Sequence, residues 1–148
     1  DEDSSGRFNY CQIKSCRFGN YILYLMFKPM KVKLIKRAAI EDFVIRHARS
    51  KGSMDTFLQI LKVADWNIPV DLNSTFGKRA DIICHGKRVV FDVGGGSYRI
   101  ICGLAFGVQS VFLYVKFMGT HAAYDRLCKP GKNEPGVCDV DVYKSKAK

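Results

Sequence analysis

Between Ala80 and Met118 the chain passes through successive apolar runs rich in β-branched and aromatic residues, and a glycine stands at every break between them. The breaks are Gly86, then Gly94-Gly95-Gly96-Ser97, then Gly107. Glycine tolerates the positive φ that tight hairpins require. Links this short leave no room for a crossover, so neighbouring strands must run antiparallel. The pattern predicts strands over 80–85, 87–93, 98–106 and 110–118. A meander of this kind is apolar on at least one face and needs cover from another layer.

The cover is predicted just upstream. Over 36–49, Ile40, Phe43, Val44 and Ala48 follow a helical stripe, with Lys36, Arg37, Glu41, Arg46 and Arg49 on the other faces. Gly52 is expected to break this helix and Ser53 to cap a second one, whose apolar side is Met54, Phe57, Leu58 and Leu61. Pro69 is expected to end the second helix, leaving 70–79 as a connector. Thr120 can cap a short last helix starting at His121. Met30-Lys31-Val32-Lys33-Leu34-Ile35 reads as the first strand of the unit. The expected architecture is α+β: two N-terminal helices packed on an antiparallel or mixed sheet, with a short C-terminal helix. The domain is expected over 30–127. Residues 1–29 read as an N-terminal extension of uncertain status, with an arm that adds a strand as the alternative. Residues 128–148, rich in Lys, Gly and Pro, read as a loose basic tail.

The formal charge is +10, and 30–127 holds most of it, with fifteen basic against eight acidic residues. A basic excess inside a folded unit suits a surface that meets polyanions; scattered solubilising lysines are the other explanation. The six cysteines form no CxxC pair and no zinc spacing with histidine. Cys84 and Cys102 lie in apolar runs, where a free thiol acts as a small hydrophobe, so a reducing compartment is expected. The apolar run 21–27 is far short of the ~20 residues a spanning helix needs. Lys28-Pro29-Met30-Lys31 follows it in place of a small-residue cleavage site. We expect no membrane span, no export and a cytoplasmic location.

Two segments stand out together: Arg88-Val89-Val90-Phe91-Asp92-Val93-Gly94-Gly95 with Tyr98-Arg99 after it, and Thr120-His121-Ala122-Ala123-Tyr124-Asp125. The first fits VVF-[ND]-hydrophobic-GG-x-x-[YL]-R and the second TH-x-x-YD. In this the chain resembles the HigB toxin family, and Ala64-Asp65-Trp66 with Pro69 is similar to that family's connector. The resemblance covers Met30 to Leu127. It implies a RelE-like fold and an mRNA endonuclease, commonly acting at the ribosomal A site. It also implies a silencing partner, typically a helix-turn-helix antitoxin like HigA. Position 92 is Asp where many relatives carry Asn. Near a phosphate its charge opposes binding; capping the glycine turn it does no harm.

The chemistry can also be argued from the residues. Metal-free RNA cleavage needs a base for the 2′-hydroxyl proton, an acid for the leaving 5′-oxygen and cations for the charge on phosphorus. In the strand region only Asp81 and Asp92 are acidic, which disfavours a magnesium site; no metal and no cofactor is expected. His121 is the candidate acid–base, with Tyr124 on the same helix face assisting; alternatively His121 caps the helix and Tyr124 packs on the sheet. Arg99 in an apolar strand is the candidate phosphate ligand, with Lys116 beside it; alternatively Arg99 only pairs with Asp81 or Asp92. Lys78, Arg79, Lys87 and Arg88 are candidates for RNA-backbone contact, or a charged edge that blocks aggregation. His85 reads as a turn residue and His47 gets no role. Two other activities remain open: a non-catalytic RNA- or ribosome-binding module, and a gyrase inhibitor resembling ParE.

Overall fold

The computed structural model describes residues 30–144. The expected extension over 1–29 lies outside the described residues, as do 145–148. Six strands form one mixed sheet; the helices between the first and third strands cover one of its faces, and the short last helix lies against the other. The strands are β1 (Met30–Ile35), β2 (Asp65–Trp66), β3 (Ala80–Ile83), β4 (Arg88–Val93), β5 (Tyr98–Phe106) and β6 (Ser110–Thr120). The helices are α1 (Ala38–Arg46), α2 (Lys51–Val63), α3 (Val70–Phe76) and α4 (His121–Cys128). The spatial order is β2-β1-β6-β5-β4-β3. The meander β3 to β6 is antiparallel throughout, as the glycine breaks dictate. β1 lies parallel to β6, because the whole helical segment intervenes and allows the crossover.

Alternation along the strands sends Val89, Phe91 and Val93, Ile100, Cys102 and Leu104, and Val111, Leu113 and Val115 to the helical side, all buried. Ile40 and Phe43 of α1 and Met54, Phe57 and Leu61 of α2 meet them there. Phe91 is the hub: its ring centroid is 5.0 Å from that of Phe57 and 4.8 Å from that of Phe76. Trp66 is fully buried, and its indole N–H donates to Thr75 Oγ1 at 2.9 Å, so its one polar atom costs nothing in the core.

The helical half differs from expectation in three ways. α1 stops at Arg46, and Ala48–Ser50 form a separate 3-10 turn in which the buried Ser50 hydroxyl donates to the His47 carbonyl at 2.7 Å. α2 starts at Lys51, so Gly52 lies in its first turn rather than between helices, and Ser53 is inside the helix rather than capping it. Glycine costs a helix only about 1 kcal/mol, which packing on the sheet readily offsets. The connector is itself a helix, α3: Pro69 begins it rather than ending α2, since proline's fixed φ suits a first turn. Asp71 Oδ2 accepts from the amides of Asn67 and Ile68 at 2.7 and 3.0 Å and fixes that entry.

β3 ends at Ile83, because Cys84 and His85 take left-handed φ values of 55° and 57°. Cys84 is not a free strand thiol: it forms a disulfide with Cys138. Cys102 is free and buried, and burial pushes its thiol well up, so it is inert. The segment after α4 is not loose over its described length. Val140 is buried against Val90 and Ile101 on the sheet face away from α1, α2 and α3, and the Val142 amide donates to the Lys116 carbonyl at 2.9 Å. The short last helix is as expected, with Thr120 Oγ1 accepting from the Ala123 amide.

Phe91→Ala removes the ring on which α2 and α3 meet the sheet. It should cost about 3–5 kcal/mol, read as a lowered midpoint in denaturant unfolding. A loss below about 1 kcal/mol would contradict this placement of the core.

Candidate active site

The residues that alternate away from α1, α2 and α3 make the second face of the sheet, against which α4 lies. β4 contributes Arg88, Val90 and Asp92, and β5 contributes Arg99, Ile101 and Gly103. Cross-strand register places Asp92 opposite Arg99, and Arg99 opposite Gly119 of β6. Gly119 is needed there because the space a side chain would take is already filled by its neighbours. A Cβ there would come within 2.6 Å of the Phe117 ring and 3.2 Å of the Ala123 Cβ.

Arg99 is held from two sides. Its Nη1 donates to Asp92 Oδ1 at 2.8 Å and to the Gly96 carbonyl at 3.2 Å. The side chain is only 14% exposed, so the guanidinium is fixed at the floor of a depression rather than swinging in solvent. The Gly94–Gly96 turn supplies that carbonyl, and all three of its glycines have positive φ. The family-pattern glycines and the arginine after them are thus one device: the turn positions the cation. The Tyr124 ring of α4 lies 5.7 Å from the Arg99 guanidinium carbon, within cation–π range.

An open cleft of about 700 Å³ rises from this floor. Asp92, Arg99 and Val90 line its base and Tyr124 one wall. Lys78 and Arg79, in the 3-10 turn Gly77–Arg79 between α3 and β3, line another. Asp81 also lines it, so three cations share the cleft with two carboxylates. Burial, followed by a hydrogen bond to Cys128, pushes the Tyr124 phenol up to about 12, against a smaller opposing effect of Arg99. The phenol therefore stays protonated at neutral pH and can give a proton, not take one.

The structure sorts the eight sequence candidates into groups. Arg99, Tyr124, Lys78 and Arg79 meet in the cleft. His121 is exposed at the start of α4 and is not among the cleft-lining residues. Its amide donates to the Ser97 carbonyl at 3.1 Å, and its Nδ1 lies 2.8 Å from Asp125 Oδ2. The ring is thus oriented by a carboxylate at the corner where the glycine turn meets α4. Lys116 is on the same sheet face but outside the cleft. Ile101 pairs with Phe117 and Cys102 with Val115, so Lys116 is the extra residue of a β-bulge, and its Nζ pairs with Asp141 Oδ2 at 2.6 Å. Arg88 Nη1 donates to the carbonyls of Val137 and Val140 at 3.1 and 2.7 Å. Lys87 is exposed in the β3–β4 turn. Of the two partners weighed for Arg99, Asp92 is the one it takes. Sequence reasoning gave Asp125 no task of its own and missed Asp141; the spacing of Asp125 four residues after His121 was the available signal for the first, and nothing local marks the second.

Among the described residues no three His, Cys, Asp or Glu side chains converge to hold a metal ion. No described helix is long and apolar enough to cross a membrane.

Carbon NMR of the tyrosine Cζ signals should show one phenol titrating at about 12 that disappears in Tyr124→Phe. A lost signal with an ordinary midpoint near 10 would contradict the described environment.

The cleft, the glycine turn and the start of α4 all fall in a stretch that comparison with known proteins picks out. Residues 50–127 match the family profile HigB_toxin, described as the RelE-like toxic component of a toxin-antitoxin system. The chain is also similar to a protein named mRNA interferase HigB from Escherichia coli O6:H1, with 25% identity over 96 residues, 65% of this chain and 91% of the relative. With its glycine turn, anchored arginine and TH-x-x-YD helix start inside the matched stretch, the chain belongs to the HigB family of RelE-like toxins.

Proposed function

We propose that this toxin is an mRNA endonuclease that cuts by metal-free transesterification and thereby stops translation, and that residues 30–127 are its working unit. One observation carries the proposal. A largely buried, doubly anchored guanidinium lies at the floor of an open, cation-lined cleft beside a protonated phenol, and a carboxylate-oriented imidazole stands at the start of the helix that carries that phenol. The name of the Escherichia coli relative, mRNA interferase, points the same way.

In this mechanism the RNA backbone follows Lys78 and Arg79 into the cleft, and the scissile phosphate sits over Arg99. The planar fork already spends one arm on Asp92, and its remaining N–H groups face the phosphate oxygens. The 2′-hydroxyl attacks phosphorus, the P–O5′ bond breaks, and a 2′,3′-cyclic phosphate and a 5′-hydroxyl result. His121, held by Asp125, takes the 2′-hydroxyl proton. Tyr124 positions the nucleotide and donates to the leaving oxygen. Arg99 meets the charge that builds on phosphorus, where a fixed cation is worth most because it need not reorganise. Lys87 extends the basic track at the β3–β4 turn. The ribosome, presenting mRNA in the cytoplasm, is the proposed setting, and a helix-turn-helix antitoxin the proposed inhibitor.

The exposure of His121 outside the cleft lining favours a second reading, a module that binds RNA and blocks translation without cutting. Primer extension on mRNA from a translation extract separates the two, since only a nuclease leaves new 5′ ends. We expect such ends with the intact chain. His121→Ala and Arg99→Ala, each folded by circular dichroism, should cut at least about a hundredfold more slowly. Full cleavage by both variants would overturn the assignment.

A further inference from the structure

Residues 129–144 lie beyond the stretch that matches the family, yet they are laid across the open face of the sheet and fastened at several points. Cys138 is joined to Cys84. The carbonyls of Val137 and Val140 hold Arg88, and Asp141 holds Lys116. Further on, the Tyr143 carbonyl accepts from Lys36 Nζ.

These fastenings converge on one spot. Arg88 pairs with Gly103 in the register of β4 and β5, and Lys116 Cε lies 3.4 Å from where a Gly103 Cβ would be. Two cations thus flank a glycine that offers no side chain of its own. What the segment puts on them is a carboxylate and two carbonyls, an array of oxygens of the kind a phosphate presents. The array is imperfect: Asp141 Oδ1 is buried with no hydrogen-bond partner. Burial pushes the Asp141 carboxyl up, but Lys116 outweighs it and, with Lys36, holds it below the usual range. The carboxylate is therefore charged, mostly buried and only half satisfied, which makes it a poor permanent occupant. Gly103 is four residues along β5 from Arg99, about 13 Å at a strand's rise per residue, a span that an extended RNA strand covers in a few nucleotides.

We propose that Arg88 and Lys116 form a second phosphate subsite on the RNA path, that residues 137–141 occupy it as a mimic of the substrate, and that the Cys84–Cys138 disulfide is the latch. The inference rests on the RNA-cleaving reading above. The latch opens by exchange with a dithiol. One thiolate attacks a sulfur of the bridge, the mixed disulfide is resolved by the second thiol, and the reductant leaves as its own disulfide. The protein gains two thiols, and the two electrons and two protons come from the dithiol. Without the covalent tie, RNA phosphate competes with Asp141 and the carbonyls on equal terms.

The test uses the full chain, oxidised or treated with a dithiol. Binding is read by anisotropy with an uncleavable 2′-O-methyl oligoribonucleotide, and cleavage with its unmodified counterpart. Reduction should tighten binding about tenfold, and Cys138→Ser should behave as the reduced chain does under both conditions. Lys116→Ala should lose the gain on reduction. Hydrogen exchange should rise on reduction over 129–144 while the sheet stays protected, which shows that the fold survives. Equal binding and cleavage in both redox states, or exchange that stays slow over 129–144 after reduction, overturns the latch and leaves the nuclease reading standing. No binding and no cleavage in any form overturns both.

Discussion

A guanidinium fixed at the floor of an open sheet face is the feature around which the rest of this molecule is arranged. Arg99 stands in a strand whose neighbours are otherwise apolar, and a cation there must be paired or it destabilises the fold. Asp92 across the strand pair and the Gly96 carbonyl in the adjoining turn do the pairing. The cost is that one arm of the fork is spent. The return is a cation whose position is set before any ligand arrives, which is what electrostatic stabilisation of a developing charge requires. Asp at position 92 is therefore neither a turn cap nor a bystander. It fixes the arginine and at the same time lowers the positive potential that a phosphate would meet.

The two faces of the sheet divide the labour. The helical face buries an aromatic cluster of Phe57, Phe76 and Phe91 with Trp66 beyond it, and this makes the strands a rigid platform. The other face carries the charged residues, an open cleft at the Arg99 end and a covering segment around Gly103. The bulge at Lys116 serves this division. By adding one residue to β6 it turns Lys116 toward the open face beside Phe117 while Val115 and Met118 keep to the core. A regular strand would have put one of these side chains on the wrong side.

The meander was legible because its signals are local. Glycine at each break and apolar alternation between breaks are read within a few residues, and β4, β5, β6 and α4 match expectation closely. The α+β class followed from the same reading. Helix boundaries were less legible because local breakers were overruled: Gly52 sits inside α2, and Pro69 opens α3 instead of closing α2. The C-terminal segment was illegible for a different reason. Its fastenings are long-range, with 54 residues between the bonded cysteines and backbone carbonyls as the partners of Arg88, and neither leaves a periodic trace. Of the site, Arg99 and Tyr124 were each picked out, but strand register set Arg99 beside Lys116 and helix spacing set Tyr124 beside His121. That Arg99 and Tyr124 meet in the cleft depends on how the last helix packs on the sheet, which leaves no local signal. The occupation of Lys116 and Arg88 by a distant segment leaves none either.

The account turns on where RNA touches the protein. The direct measurement is an NMR titration of the arginine side-chain N–H signals with an uncleavable oligoribonucleotide. The Arg99 signal, assigned through Arg99→Lys, should shift in a saturable way together with the Tyr124 ring. Saturation of the RNA complex with both signals unmoved, while resonances elsewhere on the surface shift, would contradict the placement of the scissile phosphate over Arg99.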